Sequence, residues 1–299
     1  MKIVVAGGSG FIGESLVRRL VARGDDVAVL SRNPAKVRSG RGVQWDGKSS
    51  GAWTSEIAGA GAVINLAGEN VGEGRWTEER KRRLIDSRLN ATNAIVAALN
   101  NAAPRQRTLI NASAVGYYGF DRDEEIDEKS SKGRGFLADL TEKWESAASA
   151  AQPVARVVIL RFGVVLAADG GALQKMMLPF RFGAGGPVGS GKQWMSWVDR
   201  DDLLSAIQWA LDRESVRGTY NVTAPDPVRN RDFAKILGRV MHRPSIMPAP
   251  AFALRLAFGD MAGEVLLGGQ RVLPRRAQSE GFRFTYSELE PALLHIVKR

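Results

Sequence analysis

Three glycines near the start of the chain are spaced to receive a diphosphate. Gly7-Gly8-Ser9-Gly10-Phe11-Ile12-Gly13 reads G-x-x-G-x-x-G and follows the apolar run Lys2-Ile3-Val4-Val5-Ala6. Gly7 can turn tightly, Gly10 has no side chain to keep a pyrophosphate off the backbone, and Gly13 lets a helix pack against the preceding strand. A helix beginning there offers free N–H groups and its positive dipole end to the phosphates. A glycine triplet alone is weak; a strand before it and a helix after it give it meaning. The ribose end gives a second signal. A site that selects a 2′-hydroxyl carries a carboxylate at the end of the second strand. Here that place reads Leu30-Ser31-Arg32-Asn33, while Asp25 and Asp26 stand at the strand's other end. A hydroxyl at Ser31 and a forked guanidinium at Arg32 suit a 2′-phosphate, so the ligand expected is NADP(H) rather than NAD.

The elements that must position these residues alternate. Apolar, β-branched runs predict strands at about 2–6, 26–31, 43–45, 62–66, 107–112 and 155–161, with helices at about 11–23, 76–100 and 136–151. Strand–helix alternation implies a parallel sheet covered on both faces, a doubly wound α/β fold of Rossmann type. Beyond Arg161 the rhythm breaks down and glycines crowd in, before a strand (194–198), a helix (200–213) and a strand (218–222) return. Residues 224–299 are proline-rich and read as short helices and loops. The expected division is a dinucleotide-binding domain over 1–165, rejoined by 195–223, and a smaller substrate-side lobe from 166–194 and 224–299.

Composition removes several classes of function. The 299 residues are 44% hydrophobic and 25% charged, which suits a globular chain. There is no cysteine, so disulfides, thiolate catalysis and Cys-ligated zinc are out. The two histidines, His242 and His295, do not make a metal cluster, and no metal is expected. No apolar run is long enough to span a bilayer and the chain does not open on a signal peptide, so a cytoplasmic location and no membrane partner are expected. The net charge of +10 could serve nucleic acid, but the basic residues are dispersed among acids without an aromatic stripe. An anionic small molecule is the better partner for it, and an oligomer is compatible with it.

Further runs carry a family resemblance across the whole chain. Asn65-Leu66-Ala67-Gly68 follows the fourth strand; then come Trp76-Thr77, Arg80-Lys81, Ser87-Arg88, Tyr117-Tyr118-Gly119, Trp144-Glu145, Gln193-Trp194-Met195-Ser196-Trp197, Leu273-Pro274 and Gly281-Phe282. With the glycine turn and Phe11, these resemble an extended short-chain dehydrogenase/reductase, in the atypical branch described as nucleoside-diphosphate-sugar epimerases with a C-terminal domain of unknown function. The resemblance implies a Rossmann domain binding NADP(H), with the turn, Asn65 to Gly68 and Arg161 near the cofactor.

It also exposes a gap. The family's usual site joins a Ser or Thr after the fifth strand to a Tyr-x-x-x-Lys on the next helix. Ser113 fills the first place. The helix reads Phe136-Leu137-Ala138-Asp139-Leu140-Thr141-Glu142-Lys143, and no tyrosine occurs between Tyr118 and Tyr220. A phenyl ring cannot move a proton. Tyr117 or Tyr118, on the loop leaving the fifth strand, is the alternative phenol; Lys143 is expected in solvent.

For the substrate side the candidates are Trp76, Arg80, Arg88 and Trp194, with guanidiniums for a substrate pyrophosphate. Asp201 or Asp202 is expected to cap the helix near residue 200. Asp121 to Glu128 is expected to be a solvated loop. The functional expectation is an NADP(H)-binding oxidoreductase or epimerase acting on a phosphorylated or nucleotide-linked, sugar-like substrate. The alternative is a non-catalytic NADP(H)-binding sensor.

Overall fold

A computed structural model describes residues 1–103 and 106–298. In chain order the elements are β1 (Lys2–Ala6), α1 (Gly13–Ala22), β2 (Asp26–Ser31), β3 (Arg41–Gln44), α2 (Thr54–Gly59), β4 (Ala62–Asn65), α3 (Glu78–Asn100), β5 (Thr108–Ala114), β6 (Asp121–Ile126) and α4 (Phe136–Ser149). They continue with β7 (Arg156–Phe162), β8 (Val164–Ala167), α5 (Gly171–Arg181), β9 (Trp194–Met195), β10 (Trp197–Asp199), α6 (Arg200–Asp212), β11 (Gly218–Val222), β12 (Val228–Arg229), α7 (Asn230–Val240), α8 (Ala251–Phe258), β13 (Gly269–Val272), α9 (Arg275–Ser279) and α10 (Leu289–Val297).

Seven strands form one sheet in the order β3-β2-β1-β4-β5-β7-β11, every pairing parallel. The order reverses between β1 and β4, and a sheet of this kind opens its ligand crevice at the carboxyl ends there. Period-two alternation divides the core. Ile3 and Val5 join Leu16, Val17, Leu20, Leu203 and Ile207 on the face of α1 and α6. Val4 and Ala6 join Ile57, Ile95, Leu99 and Ala148 on the face of α2, α3 and α4. Both faces of β1 are buried, which is why it reads as a continuous apolar run.

A second cluster, built from Leu173, Met177, Phe180, Trp197, Phe233, Leu237, Leu289 and Leu293, holds α5, α7 and α10 together beside the carboxyl end of the sheet. Of the segment 195–223, α6 and β11 join the large sheet and its core, whereas β9 and β10 pair with β12 and β8 in two small sheets. Several elements were not foreseen. Residues 121–126, expected as a loop, form β6, because β13 from the far end of the chain pairs with it. The glycine-rich stretch after Arg161 contains β8 and α5. Among the described residues no helix is long and apolar enough to cross a membrane, and no three metal-ligating side chains converge.

Candidate active site

The glycine turn sits at the switch point. Gly7 has φ +77°, and a β-carbon on it would lie 2.7 Å from the Leu66 carbonyl carbon. A β-carbon on Gly13 would lie 2.1 Å from the Gly7 carbonyl oxygen. Gly8 is buried against Val29 and Val17. These three glycines are therefore fixed by packing between β1, α1 and the β4 loop. Gly10 differs. It is exposed, its amide donates to the Gly7 carbonyl at 3.0 Å, and among the described residues its added β-carbon would meet that same oxygen alone, at 3.3 Å. No side chain caps α1, whose N-cap is Ile12. The bare backbone at Ser9 and Gly10 therefore fits a diphosphate.

Phe11 bounds the turn on the second-lobe side. Its ring lies where a β-carbon on Gly170 or Gly171 would stand, and the Arg200 guanidinium is over it at 5.3 Å. At the ribose end, the buried Ser31 hydroxyl accepts from the Asn33 amide at 3.1 Å. Arg32 is exposed, and among the described residues its side chain makes no ion pair. Lys36 and Arg38 line a small recess beside the turn with Ser9 and Glu14, where Arg38 donates to Glu14 Oε1 at 3.2 Å.

The loop after β4 is braced from beneath. Buried Asn65 donates to Thr92 Oγ1 at 2.9 Å and to Asn111 Oδ1 at 2.7 Å, and accepts from the Ala67 amide. Arg88 runs under Gly68, donates to the Leu84 and Glu69 carbonyls, and stacks over Trp144 at 5.1 Å. Burial pulls its guanidinium down to about 10. Arg80 pairs with Glu69 and donates to the Asn70 carbonyl at 2.7 Å. Both arginines, read from the sequence as substrate ligands, are thus engaged in holding 69–70. Trp76 is committed likewise. It is buried with Leu84, Leu140 and Met261, meets Phe136 edge to face at 5.0 Å, and donates to the Val71 carbonyl. This apolar cluster occupies the position on α4 where a Tyr-x-x-x-Lys would lie. Lys143 is exposed, as expected.

The carboxyl end of β5 leads into a buried polar chain. Ser113 donates to Glu145 Oε1 at 2.6 Å; Arg161 grips both oxygens of Glu145 at 2.7 Å and donates to the Tyr118 hydroxyl at 2.8 Å; Tyr118 donates to Asn221 Oδ1 at 2.8 Å. Burial works against the Arg161 charge, but the two bonds to Glu145 outweigh it and hold the guanidinium above its ordinary range. Burial pushes the Tyr118 phenol up to about 12, only partly offset by Arg161. Arg161 therefore acts as an internal brace here, and Tyr118 is wholly buried. Tyr117 is different. It is half-buried, its ring lies 3.5 Å from the Arg161 guanidinium carbon, and among the described residues its hydroxyl has no partner.

Glu145 was missed, although its signal was present. Ala138, Thr141, Glu145 and Ala148 fall on one face of α4, all buried, so a carboxylate there needs a cationic partner. Asn221 and Glu128 were missed as well. Glu128 accepts from the Asn221 and Arg276 amides, and burial raises its carboxyl. The helix cap is Asp199, whose carboxylate accepts from the Asp201 amide; Asp202 instead accepts from Thr285 and Tyr286. Trp194 donates to Asp123 at 2.7 Å and lies between the Arg229 and Arg271 guanidiniums, at 3.9 and 4.9 Å.

Residues 3–223 match the NAD dependent epimerase/dehydratase family, and residues 249–296 match a domain of unknown function (DUF1731). The chain belongs to the NAD dependent epimerase/dehydratase family. An epimerase family member from Arabidopsis thaliana, the chloroplastic SDR39U1 homolog, is 41% identical over 306 residues, covering 100% of this chain and 87% of that one. Epimerase family protein YfhF of Bacillus subtilis is 39% identical over 301 residues, 99% and 98% of the two chains. The solved human epimerase family protein SDR39U1 with NADPH superposes with a TM-score of 0.90 at 34% identity, covering 100% of each chain. MoeE5 with UDP-glucose and NAD has a TM-score of 0.79 at 20% identity, covering 100% and 98%, and shows a shared fold alone.

Proposed function

We propose that the chain binds NADP(H) and acts as an oxidoreductase or epimerase on a small anionic substrate, with sugar nucleotides the first class to test. The observation that carries this reading is the exposed backbone at Gly10, with Arg32, which makes no ion pair among the described residues, at the ribose end of the same crevice. The human relative solved with NADPH supports the choice of dinucleotide. Ser9, Gly10 and the start of α1 would hold the pyrophosphate, and Arg32 with Lys36 or Arg38 the 2′-phosphate. When bound, the dinucleotide supplies or accepts a hydride. The chain's own residues must then move a proton. Tyr117 Oη is the group offered for this, because it is an unpartnered phenol held over Arg161. Glu145 and Ser113 position Arg161 beneath it.

The apolar filling around Phe136 and Leu140 favours a second reading, a non-catalytic NADP(H)-binding sensor. Turnover of NADPH against a panel of carbonyl compounds and sugar nucleotides separates the two. Activity lost in Tyr117→Phe supports the first. Tight NADPH binding with no turnover on any substrate supports the second.

A further inference from the structure

Independently of that site, one edge of the second lobe carries an apolar face with a cationic border. Phe182, Ile246, Phe252 and Leu256 are 75–80% exposed, and Leu178 and Met247 are more than half exposed. All six come from two stretches that carry no carboxylate side chain, one between Asp169 and Asp199 and the other between Asp232 and Asp260. The fold brings the stretches together. Gly185 bridges to Ser245 and Val188 to Ala249; the Met247 amide donates to the Gly185 carbonyl and the Gly189 amide to that of Ala249. Phe182, at the end of α5, stands three residues before this join, and Ile246 and Met247 lead from it into α8, with Phe252 and Leu256 one turn apart.

The border is basic. Arg181 follows Leu178 by three positions on α5, Arg255 follows Phe252 by three on α8, and Arg243 stands ahead of Ile246. All three are exposed, and among the described residues none has a carboxylate partner. Arg75, against the end of α8, donates to the Leu256 carbonyl. The nearest acid along the chain, Asp260, is paired with Lys81.

We propose that this face adsorbs to an anionic lipid bilayer, with Phe182, Ile246, Met247, Phe252 and Leu256 entering the interface and Arg181, Arg243 and Arg255 meeting the headgroups. A monomer seldom exposes a clustered apolar face without a partner for it. The charge selects the partner. A second copy would bring guanidiniums against guanidiniums, whereas an anionic bilayer offers apolar depth and negative charge together. That no helix among the described residues is long and apolar enough to cross a bilayer does not bear on adsorption at this face, so the proposal departs from the absence of a membrane partner expected from the sequence.

The test is co-sedimentation of the full chain with phosphatidylcholine vesicles containing about a quarter phosphatidylglycerol, against phosphatidylcholine alone. The expected result is binding to the anionic vesicles only, weakened by salt. Binding should fall about tenfold or more in Phe252→Ser/Leu256→Ser and in Arg181→Gln/Arg243→Gln/Arg255→Gln. The altered side chains are exposed, so unchanged thermal midpoints are expected; if a variant misfolds, the lipid and salt dependence of the unaltered chain still decides. Failure to pellet with anionic vesicles overturns the proposal. So does equal binding to neutral vesicles, or loss confined to the arginine variant. A dimer that Phe252→Ser/Leu256→Ser converts to monomer, without vesicle binding, assigns the face to a second copy and overturns it too.

Discussion

The Arg161 guanidinium carbon lies 3.5 Å from the centre of the Tyr117 ring, while the same guanidinium is locked from behind by both oxygens of Glu145. Among the described residues the Tyr117 hydroxyl has no partner, so it is left open above this fixed cation. The adjacent Tyr118 shows the contrast, with its hydroxyl committed to Arg161 and Asn221.

The two tyrosines should therefore separate in experiment. Tyr117→Phe should leave the thermal midpoint close to that of the unaltered chain and lower turnover by about a hundred- to ten-thousand-fold. Tyr118→Phe should cost about 1–3 kcal/mol of stability, because Arg161 and Asn221 lose a buried partner, with a much smaller effect on the chemical step. Turnover and thermal melts on both variants check this. The reverse pattern would assign the proton to Tyr118.

The Glu145–Arg161 pair is buried on both sides. Glu145→Ala should destabilise the fold by about 3–5 kcal/mol, because it strands a guanidinium away from water. Replacing both residues with leucine should recover a large part of that loss. Urea titrations of the single and double variants measure the difference.

Asp199 gives a pH signature. Burial raises its carboxyl from 3.8 to about 6. Between these values the folded chain holds a proton that the unfolded chain has released. This contribution to stability is therefore whole below about 4 and is lost as pH rises through about 6. Asp199→Asn keeps a capping oxygen and removes the titration. The stability of the unaltered chain minus that of the variant should fall by on the order of 2–3 kcal/mol from pH 4 to pH 7. Thermal melts across that range would show it; a flat difference would contradict the assignment.

The centre of the large sheet was legible because β1 and β2 are buried on both faces and so read as apolar runs; β1, β2 and β11 all lie where the sequence puts them. β6 was not legible, since Asp121 to Glu125 are charged and strand pairing there depends on Gly269–Val272, about 145 residues away. In the candidate site the glycines could be read from spacing, because each answers to a local backbone constraint. The arginines could not. Arg80, Arg88 and Arg161 look like phosphate ligands by type, but Glu69, the carbonyls of 69–70 and Glu145 reach them only in three dimensions. The choice between Tyr117 and Tyr118 likewise depends on Asn221, contributed by a strand about a hundred residues later.

Calorimetric titration of the folded chain with NADPH and NADH, run beside Gly10→Asp and Arg32→Ser, decides whether the glycine turn and Arg32 hold the dinucleotide. NADPH should bind, Gly10→Asp should abolish binding without lowering the thermal midpoint, and Arg32→Ser should weaken NADPH by about ten- to a hundredfold while sparing NADH. A well-folded chain that takes up neither dinucleotide, or a Gly10→Asp variant that binds NADPH unimpaired, would contradict this reading.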